Sequence, residues 1–172
     1  MGKSKNQRLS VLPGNMAILV LLLLSAAFPA VAQDALARGK YLVEGIGGCG
    51  NCHTAWAGPM KGVTLAGGNR FGGPNAPFES WASNITPDRE TGIGTWSDAQ
   101  IVTAIREGKR PDGSLIGPPM AIEFFRHFSD DDVKAIVAFL RTVKPVKNRT
   151  PKARFGMKLR PGHPAGKVAD IL

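Results

Sequence analysis

Two cysteines and a histidine stand close together in the sequence Cys49-Gly50-Asn51-Cys52-His53. This C-x-x-C-H spacing is the attachment motif of haem c, because two thiols three residues apart on a helical turn can each bond one vinyl group of the same porphyrin. The next side chain, an imidazole, then projects towards the iron. The motif predicts one covalently bound haem c, with Cys49 and Cys52 as attachment residues and His53 as an axial iron ligand.

Other uses of the two cysteines fit the chain less well. A disulfide scaffold needs more bridges over a shorter chain, and a thiol-redox pair is typical of a thioredoxin-like βαβ setting that is absent from this sequence. A zinc site would need a second pair of ligands, but His127 and His163 lie 36 residues apart and miss the spacing of such pairs. A haem-free structural or thiol-redox module is therefore a weaker hypothesis for the function of this chain than a haem protein.

A second iron ligand is expected on the opposite face of the haem. Met120 follows a Gly-Pro-Pro sequence, and this stiff segment would hold the thioether sulfur in one place. It lies 67 residues after His53 with a helix between them, so it can approach from the other side. His127 is the alternative ligand, whereas Met60 follows His53 too closely and Met157 lies in a basic tail. Methionine–histidine ligation leaves no open iron position and suits electron transfer.

Three helices are predicted from apolar spacing and capping residues. The first covers about Ala35–Glu44 after a cap at Asp34, the second starts at the cap Ser97 and stops at Gly108, and the third starts at the cap Ser129 and ends before Pro145. No strand alternation persists between them, so the fold class is predicted to be all-α. The Gly- and Pro-rich stretch between the first two helices is long for a compact domain, which indicates that something other than a peptide core holds it.

Several motifs spread over about Ala37–Asn148 carry a resemblance to a known family. They resemble class I cytochromes c and, more narrowly, the cytochrome c subunits of bacterial membrane-associated dehydrogenases that oxidise alcohols, aldehydes, gluconate or nicotinate. In chain order the motifs are Ala37-Arg38-Gly39-Lys40-Tyr41-Leu42, Cys49–Thr54, Ala66-Gly67-Gly68, Ser83-Asn84-Ile85-Thr86-Pro87-Asp88, Thr91-Gly92-Ile93-Gly94-Thr95-Trp96, Pro118-Pro119-Met120 and Ala135–Lys144.

The resemblance implies the class I cytochrome c fold, in which three main helices and long loops wrap around one covalent haem. It also implies that the N-terminal and C-terminal helices cross, with Gly39 against Phe139 or its neighbours. Many members of the family carry three such domains in one chain, whereas this sequence has a single C-x-x-C-H motif. Trp96 has two readings of equal weight: a hydrogen bond from its indole to a haem propionate, or packing over Ile101 at the start of the second helix.

The N-terminal residues 1–32 read as an export signal. A positive start is followed by the apolar run Met16–Phe28 and by Ala30-Val31-Ala32, which is a typical signal-peptidase site. Cleavage would leave 140 residues, enough for one domain, which we place at residues 33–148. The alternative is an uncleaved membrane anchor. In either case we expect the protein in the periplasm, free or membrane-associated.

Residues 149–172 are predicted to be a flexible, basic C-terminal tail. The stretch from Lys144 to Lys167 contains eight Lys or Arg residues and no acidic residue, and the chain as a whole has a net charge of +9. Such a tail is either a solvated extension or a device that docks to an acidic partner or an anionic membrane surface. Nucleic acid is a poor candidate partner for an exported chain without a recognition motif.

The function predicted from these features is electron transfer without catalysis in this chain. A mono-haem c-type cytochrome would take single electrons from a periplasmic or membrane-associated dehydrogenase and pass them to another cytochrome or a terminal oxidase of a respiratory chain. The alternative is a haem enzyme or a gas or redox sensor whose sixth iron ligand is labile. The two differ in how strongly the sixth ligand is held.

Overall fold

The computed structural model describes residues 33–73 and 75–155. The predicted export signal, the last residues of the predicted tail and Met157 lie outside the described residues. From Ala35 the described residues form one compact unit. Within the described ranges, no helix has the length and apolar character needed to cross a membrane.

The described residues form five α-helices, one π-helical turn and three short strands. In chain order these are α1 (residues 33–41), a π-helical turn (Leu42–Ile46) that continues it, α2 (Cys49–His53), β1 (Arg70–Gly72), β2 (Phe78–Trp81), α3 (Asp98–Glu107), α4 (Ile122–Phe125), α5 (Asp130–Thr142) and β3 (Arg154–Phe155). The strands form an antiparallel sheet in the order β1-β2-β3.

The sheet departs from the all-α prediction, which therefore describes the helices but misses this element. The strands are three, four and two residues long. Alternation of apolar and polar residues cannot be recognised over so few positions. Two of the strands lie in the Gly- and Pro-rich stretch that had been predicted to contain none.

The starts of α3 and α5 are confirmed. Ser97 caps α3 in a reciprocal capping box: Gln100 N–H donates to Ser97 Oγ at 3.2 Å, and Ser97 N–H donates to Gln100 Oε1 at 2.8 Å. Gly108 ends the same helix with a left-handed φ of 65°. Ser129 Oγ accepts a hydrogen bond from Asp132 N–H at 3.1 Å at the start of α5.

The first helix differs from its prediction at both ends. Asp34 lies inside the helix and does not cap it, because residues 33 and 34 are already helical. At the other end the chain continues beyond Glu44 as the π-helical turn to Ile46. Arg38, on the exposed side of α1, donates from Nε to the Asp132 carboxylate at 2.8 Å and so links the start of α5 to α1.

Gly39 is the point at which α1 crosses α5, as the resemblance implied. A Cβ atom at this position would lie 2.7 Å from the carbonyl carbon of Ala135 and 2.8 Å from Phe139 Cβ. Both distances are shorter than van der Waals contact, so only glycine lets the two backbones approach this closely. The apolar core beside this crossing comprises Leu42, Val43, Leu65, Ile93, Ile101, Ile136, Val137 and Leu140.

Two arginine–aspartate pairs connect α3 and α5 at both ends. Arg106, near the end of α3, donates to Asp130 at the start of α5 at 2.7 Å. Arg141, near the end of α5, donates to Asp98 at the start of α3 at 2.8 Å. Each pair thus joins a cation at a helix C-terminus to an anion at a helix N-terminus, the arrangement that both helix dipoles favour.

Buried polar side chains hold the long stretch before α3. Asn84 Nδ2 donates to the Val146 carbonyl at 2.7 Å, and Thr86 Oγ1 donates to Asn84 Oδ1 at 2.7 Å. Asn148 Nδ2 donates to the Ala66 carbonyl at 2.8 Å. Asn84 and Thr86 are almost completely buried, and their bonds fasten the chain after α5 onto this stretch. The Asn-Ile-Thr-Pro-Asp motif therefore has a structural role in the fold.

We predict that Gly39→Ala lowers the free energy of unfolding by about 1–3 kcal/mol, because the added methyl overlaps the α5 backbone. Gly45→Ala in the π-helical turn is the matched control. A Cβ there meets only the Tyr41 ring, at 3.7 Å, so its effect should stay within about 0.5 kcal/mol. Guanidinium denaturation of the purified protein measures both. Equal stability of the two variants would contradict the close helix crossing.

Candidate functional site

The C-x-x-C-H motif forms the short helix α2, as its spacing required. Cys49 and Cys52 are both free thiols and half-buried, one helical turn apart. Burial raises the pKa of the Cys49 thiol to about 11 and also raises the pKa of Cys52. Both side chains are therefore neutral thiols near pH 7, whereas a thiol-redox centre needs a cysteine whose pKa is lowered.

His53 is buried and its ring is held by one backbone contact. Its Nδ1 lies 2.7 Å from the carbonyl oxygen of Ser83, and a carbonyl can only accept, so Nδ1 carries the proton and donates. This tautomer leaves Nε2 with a free lone pair for a metal. Burial lowers the pKa of His53, and the bond to Ser83 opposes that shift only in part. A neutral imidazole oriented through its other nitrogen is the usual form of a metal-ligating histidine.

The segment 65–69 holds the C-terminal end of α2. The carbonyl oxygens of Cys52 and Thr54 both accept from Asn69 Nδ2, at 2.7 and 2.8 Å, and the carbonyl of His53 accepts from Gly67 N–H at 2.6 Å. Three successive carbonyls that would otherwise be left open at the helix end are thus satisfied. Their donors fix the peptide units on either side of the His53 side chain.

Asn69 also connects α2 to the segment that orients His53. Its side-chain oxygen accepts from Trp56 N–H at 2.8 Å, and its backbone oxygen accepts from Ala82 N–H at 2.9 Å. Ala82 precedes Ser83, whose carbonyl holds the His53 ring. Asn69 is a site residue that the sequence analysis missed. The adjacent Ala66-Gly67-Gly68 motif marked the segment, but the role of the asparagine depends on contacts across 13 to 17 residues.

Gly67 lies where this segment passes against the chain that holds the histidine. Its φ is +75°, and a Cβ there would lie 2.6 Å from the carbonyl carbon of Ser83. A side chain would push Ser83 away and break the bond to His53 Nδ1. The glycine in this motif is therefore required both by its backbone conformation and by the lack of space.

The other predicted site residues lie elsewhere in the unit. Met120 is half-buried in the turn before α4, and Ser80 Oγ donates to the nearby Pro118 carbonyl at 2.5 Å. Trp96 is half-buried against the apolar core, and its backbone carbonyl accepts from Arg141. His127 is exposed in the turn after α4. The roles of Met120 in iron ligation and of Trp96 in propionate binding remain predictions.

The residues present fit a covalently attached haem. Two thiols stand one helical turn apart, and the histidine that follows them is neutral, buried and oriented through Nδ1. Cys49 and Cys52 would each form one thioether bond, and His53 Nε2 would ligate the iron.

We predict that Asn69→Ala destabilises the protein by about 2–4 kcal/mol, because it leaves two carbonyls of α2 and the Trp56 N–H without their partners. Asn69→Asp should be worse, since a carboxylate would face two carbonyl oxygens. Guanidinium denaturation measures stability, and peroxidase staining of denaturing gels measures attached haem. Asn75→Ala, at an exposed position, is the control. Wild-type stability in both Asn69 variants would show that Asn69 does not hold α2.

No protein-family model matches the chain. Curated relatives do match it. The chain is 33% identical over 121 residues to the cytochrome c subunit of a quinone alcohol dehydrogenase of Gluconobacter oxydans, covering 67% of this chain and 25% of that protein. It is 35% identical over 122 residues to the gluconate 2-dehydrogenase cytochrome c subunit of Pantoea cypripedii, covering 67% and 28%. It is 36% identical over 114 residues to a diheme cytochrome c-type protein of Cereibacter sphaeroides, covering 64% and 36%.

The chain thus spans about a quarter of the length of the first two relatives. The names of the relatives agree with the resemblance drawn from the sequence motifs. This chain resembles the cytochrome c subunits of bacterial dehydrogenases.

Proposed function

We propose that this chain is a mono-haem c-type cytochrome of the class I fold that transfers single electrons and has no catalytic chemistry of its own. The observation that carries the proposal is the geometry at α2, where two free thiols precede a buried histidine with its Nδ1 bonded to Ser83. The similarity to cytochrome subunits of dehydrogenases supports the same reading.

A single haem is proposed because Cys49 and Cys52 are the only cysteines among the 172 residues. A second covalent haem would need a second pair of thiols. The class I fold is proposed because α1 and α5 cross closely at Gly39 and because α2 follows α1 after a short turn. These features agree with three main helices and long loops around one haem.

His53 and Met120 are the proposed axial ligands. A bound haem would supply a one-electron change between ferrous and ferric iron, and the thioether of Met120 would favour the ferrous form and so raise the potential. His53 is fixed from three directions, by Ser83, by Gly67 and by Asn69 through the flanking carbonyls. Trp96 is proposed to donate its indole N–H to a propionate. With both axial positions filled, this chain would exchange electrons without binding a substrate at the iron.

A dehydrogenase is the proposed electron donor, of flavin, quinoprotein or molybdenum type, because the relatives are named as subunits of dehydrogenases. The proposed acceptor is another cytochrome or a terminal oxidase. We place the exchange in the periplasm, free or at the membrane, on the strength of the export signal predicted for residues 1–32. Cytochrome c maturation outside the cytoplasm fits this location.

The basic tail is also proposed to dock to an acidic partner or anionic lipid, but two of its cations have partners within the unit. Lys152 pairs with Asp112 at 3.2 Å. Arg154 lies 3.8 Å from Glu79. These pairs neutralise part of the positive charge of the tail, so docking would rest on the other cations of residues 149–172.

We predict that Met120→Ala removes the weak red charge-transfer band of the oxidised protein and lowers the reduction potential by on the order of 0.1 V, because a thioether that favours ferrous iron is lost. The reduced variant should also bind carbon monoxide rapidly at neutral pH, whereas the wild type should not. Visible spectroscopy and a redox titration measure these properties. Met60→Ala is the matched control and should leave all three unchanged.

Two results would contradict this proposal. Rapid carbon monoxide binding by the wild-type protein would favour a haem enzyme or a gas sensor with a labile sixth ligand. An unchanged spectrum in Met120→Ala would remove the methionine assignment and make His127 the next ligand to test.

A further inference from the structure

The chain after α5 returns along the body of the unit instead of leaving it. Asn148 is held at two points: its N–H donates to Thr91 Oγ1 at 2.9 Å and its side chain donates to the Ala66 carbonyl at 2.8 Å. The following residues, 149–155, reach the sheet, where β3 is the third strand. We call residues 149–155 the C-terminal strap. They include the first residues of the segment predicted as a flexible tail.

The strap is fastened to β2 by backbone pairing and by charge. Phe155 pairs with Phe78 and Arg154 pairs with Glu79 in the antiparallel ladder. Glu79 is only 9% exposed, and its carboxylate lies between Arg154 and Arg70, which donates from Nε at 2.7 Å. A buried carboxylate needs such partners, because burial of an unpaired charge is strongly unfavourable. The strap therefore supplies one of the two cations around Glu79.

The strap and β2 meet at the segment that carries Met120. The ring of Phe155 lies directly against Gly117, so closely that a side chain at Gly117 would overlap the ring. On β2, Ser80 Oγ donates to the Pro118 carbonyl at 2.5 Å, and Ser80 is buried. Two adjacent residues, two and three positions before Met120, are thus held by different strands of one sheet.

We propose that the C-terminal strap and Ser80 are positioning elements for the axial methionine. This proposal rests on the proposed function of Met120 as an iron ligand. A thioether is a weak ligand, and its effective strength depends on how often the protein presents it in a binding position. Restraint of the preceding residues raises that fraction and lowers the cost of ordering the ligand. The strap then controls how readily another ligand replaces the methionine.

Exogenous imidazole competes with the methionine for ferric iron and therefore measures this restraint. We expect Phe155→Ala to bind imidazole about 10-fold more tightly than the wild type, a change of about 1.4 kcal/mol, and to weaken the red band of the oxidised protein. Ser80→Ala removes the hydroxyl that holds Pro118 and should also increase the affinity for imidazole. Tyr41→Ala is the control, because Tyr41 is an aromatic residue on α1 with an exposure similar to that of Phe155 (53% and 47%), and it should bind imidazole like the wild type.

The same titrations separate the two levels of the proposal. A red band that is present in the wild type and lost in Met120→Ala supports the ligand assignment. If Phe155→Ala and Ser80→Ala then bind imidazole within about twofold of the wild type, the strap and Ser80 have no positioning role although the ligand assignment stands. If the red band is absent from the wild type, and the wild type and all variants bind imidazole with the same affinity, then both the positioning role and the assignment of Met120 as an iron ligand fail. Should Phe155→Ala not fold, Phe155→Leu, which keeps an apolar side chain but removes the ring from Gly117, tests the strap, and Ser80→Ala tests Ser80 separately.

Discussion

The hydrogen bonds at the C-terminal end of α2 are the interaction on which the site depends. α2 has only five residues, and so short a helix has no independent stability in water. Its geometry is imposed by donors from elsewhere in the chain, namely Asn69 Nδ2 and Gly67 N–H, which satisfy the carbonyls of Cys52, His53 and Thr54. The His53 ring is fixed in turn by Ser83.

These buried contacts outweigh the surface ion pairs. A hydrogen bond contributes roughly 1 kcal/mol net, but a buried carbonyl or amide left without its partner costs about 1–3 kcal/mol. Exposed ion pairs such as Lys40–Glu44, at 3.9 Å, typically contribute less than about 1 kcal/mol and are screened by salt. The hydrogen-bond networks around Asn69 and Asn84 therefore hold the long loops, while most surface ion pairs change the free energy of unfolding only slightly.

The same physical device recurs at the sheet. Ser80 is a buried polar side chain that donates to a backbone carbonyl of a neighbouring segment, as Asn69 does. In one case the anchored segment carries the histidine and in the other the methionine. Both proposed ligands thus come from segments fixed by side-chain donors rather than from long helices, which explains how the chain can present a defined site outside its long helices.

Local signals in the sequence predicted the helices and the haem attachment motif. Ser97 with Gln100, and Ser129 with the acidic turn after it, mark helix starts through contacts three residues apart, so a linear pattern contains them. The C-x-x-C-H motif is likewise contained within one helical turn. The helix crossing at Gly39 was instead implied by the family resemblance, and the close contact of Gly39 with α5 agrees with it.

The features that the sequence did not reveal depend on distant partners. Asn69 has no distinguishing mark before its contacts with Cys52, Thr54 and Trp56 are known. β3 has only two residues, which is too short for a periodic pattern of apolar residues. Its partner strand lies more than 70 residues earlier in the chain. The basic composition after Lys144 suggested a solvated tail, because composition does not show that Lys152 pairs with Asp112 and Arg154 with Glu79.

Intact-mass spectrometry of the purified protein tests the central claim most directly. The account predicts that the mass exceeds that of the polypeptide by one haem, that the addition survives denaturation, and that replacing both Cys49 and Cys52 by serine abolishes it. A chain that carries no covalent haem, or that retains it without the two cysteines, would contradict the account.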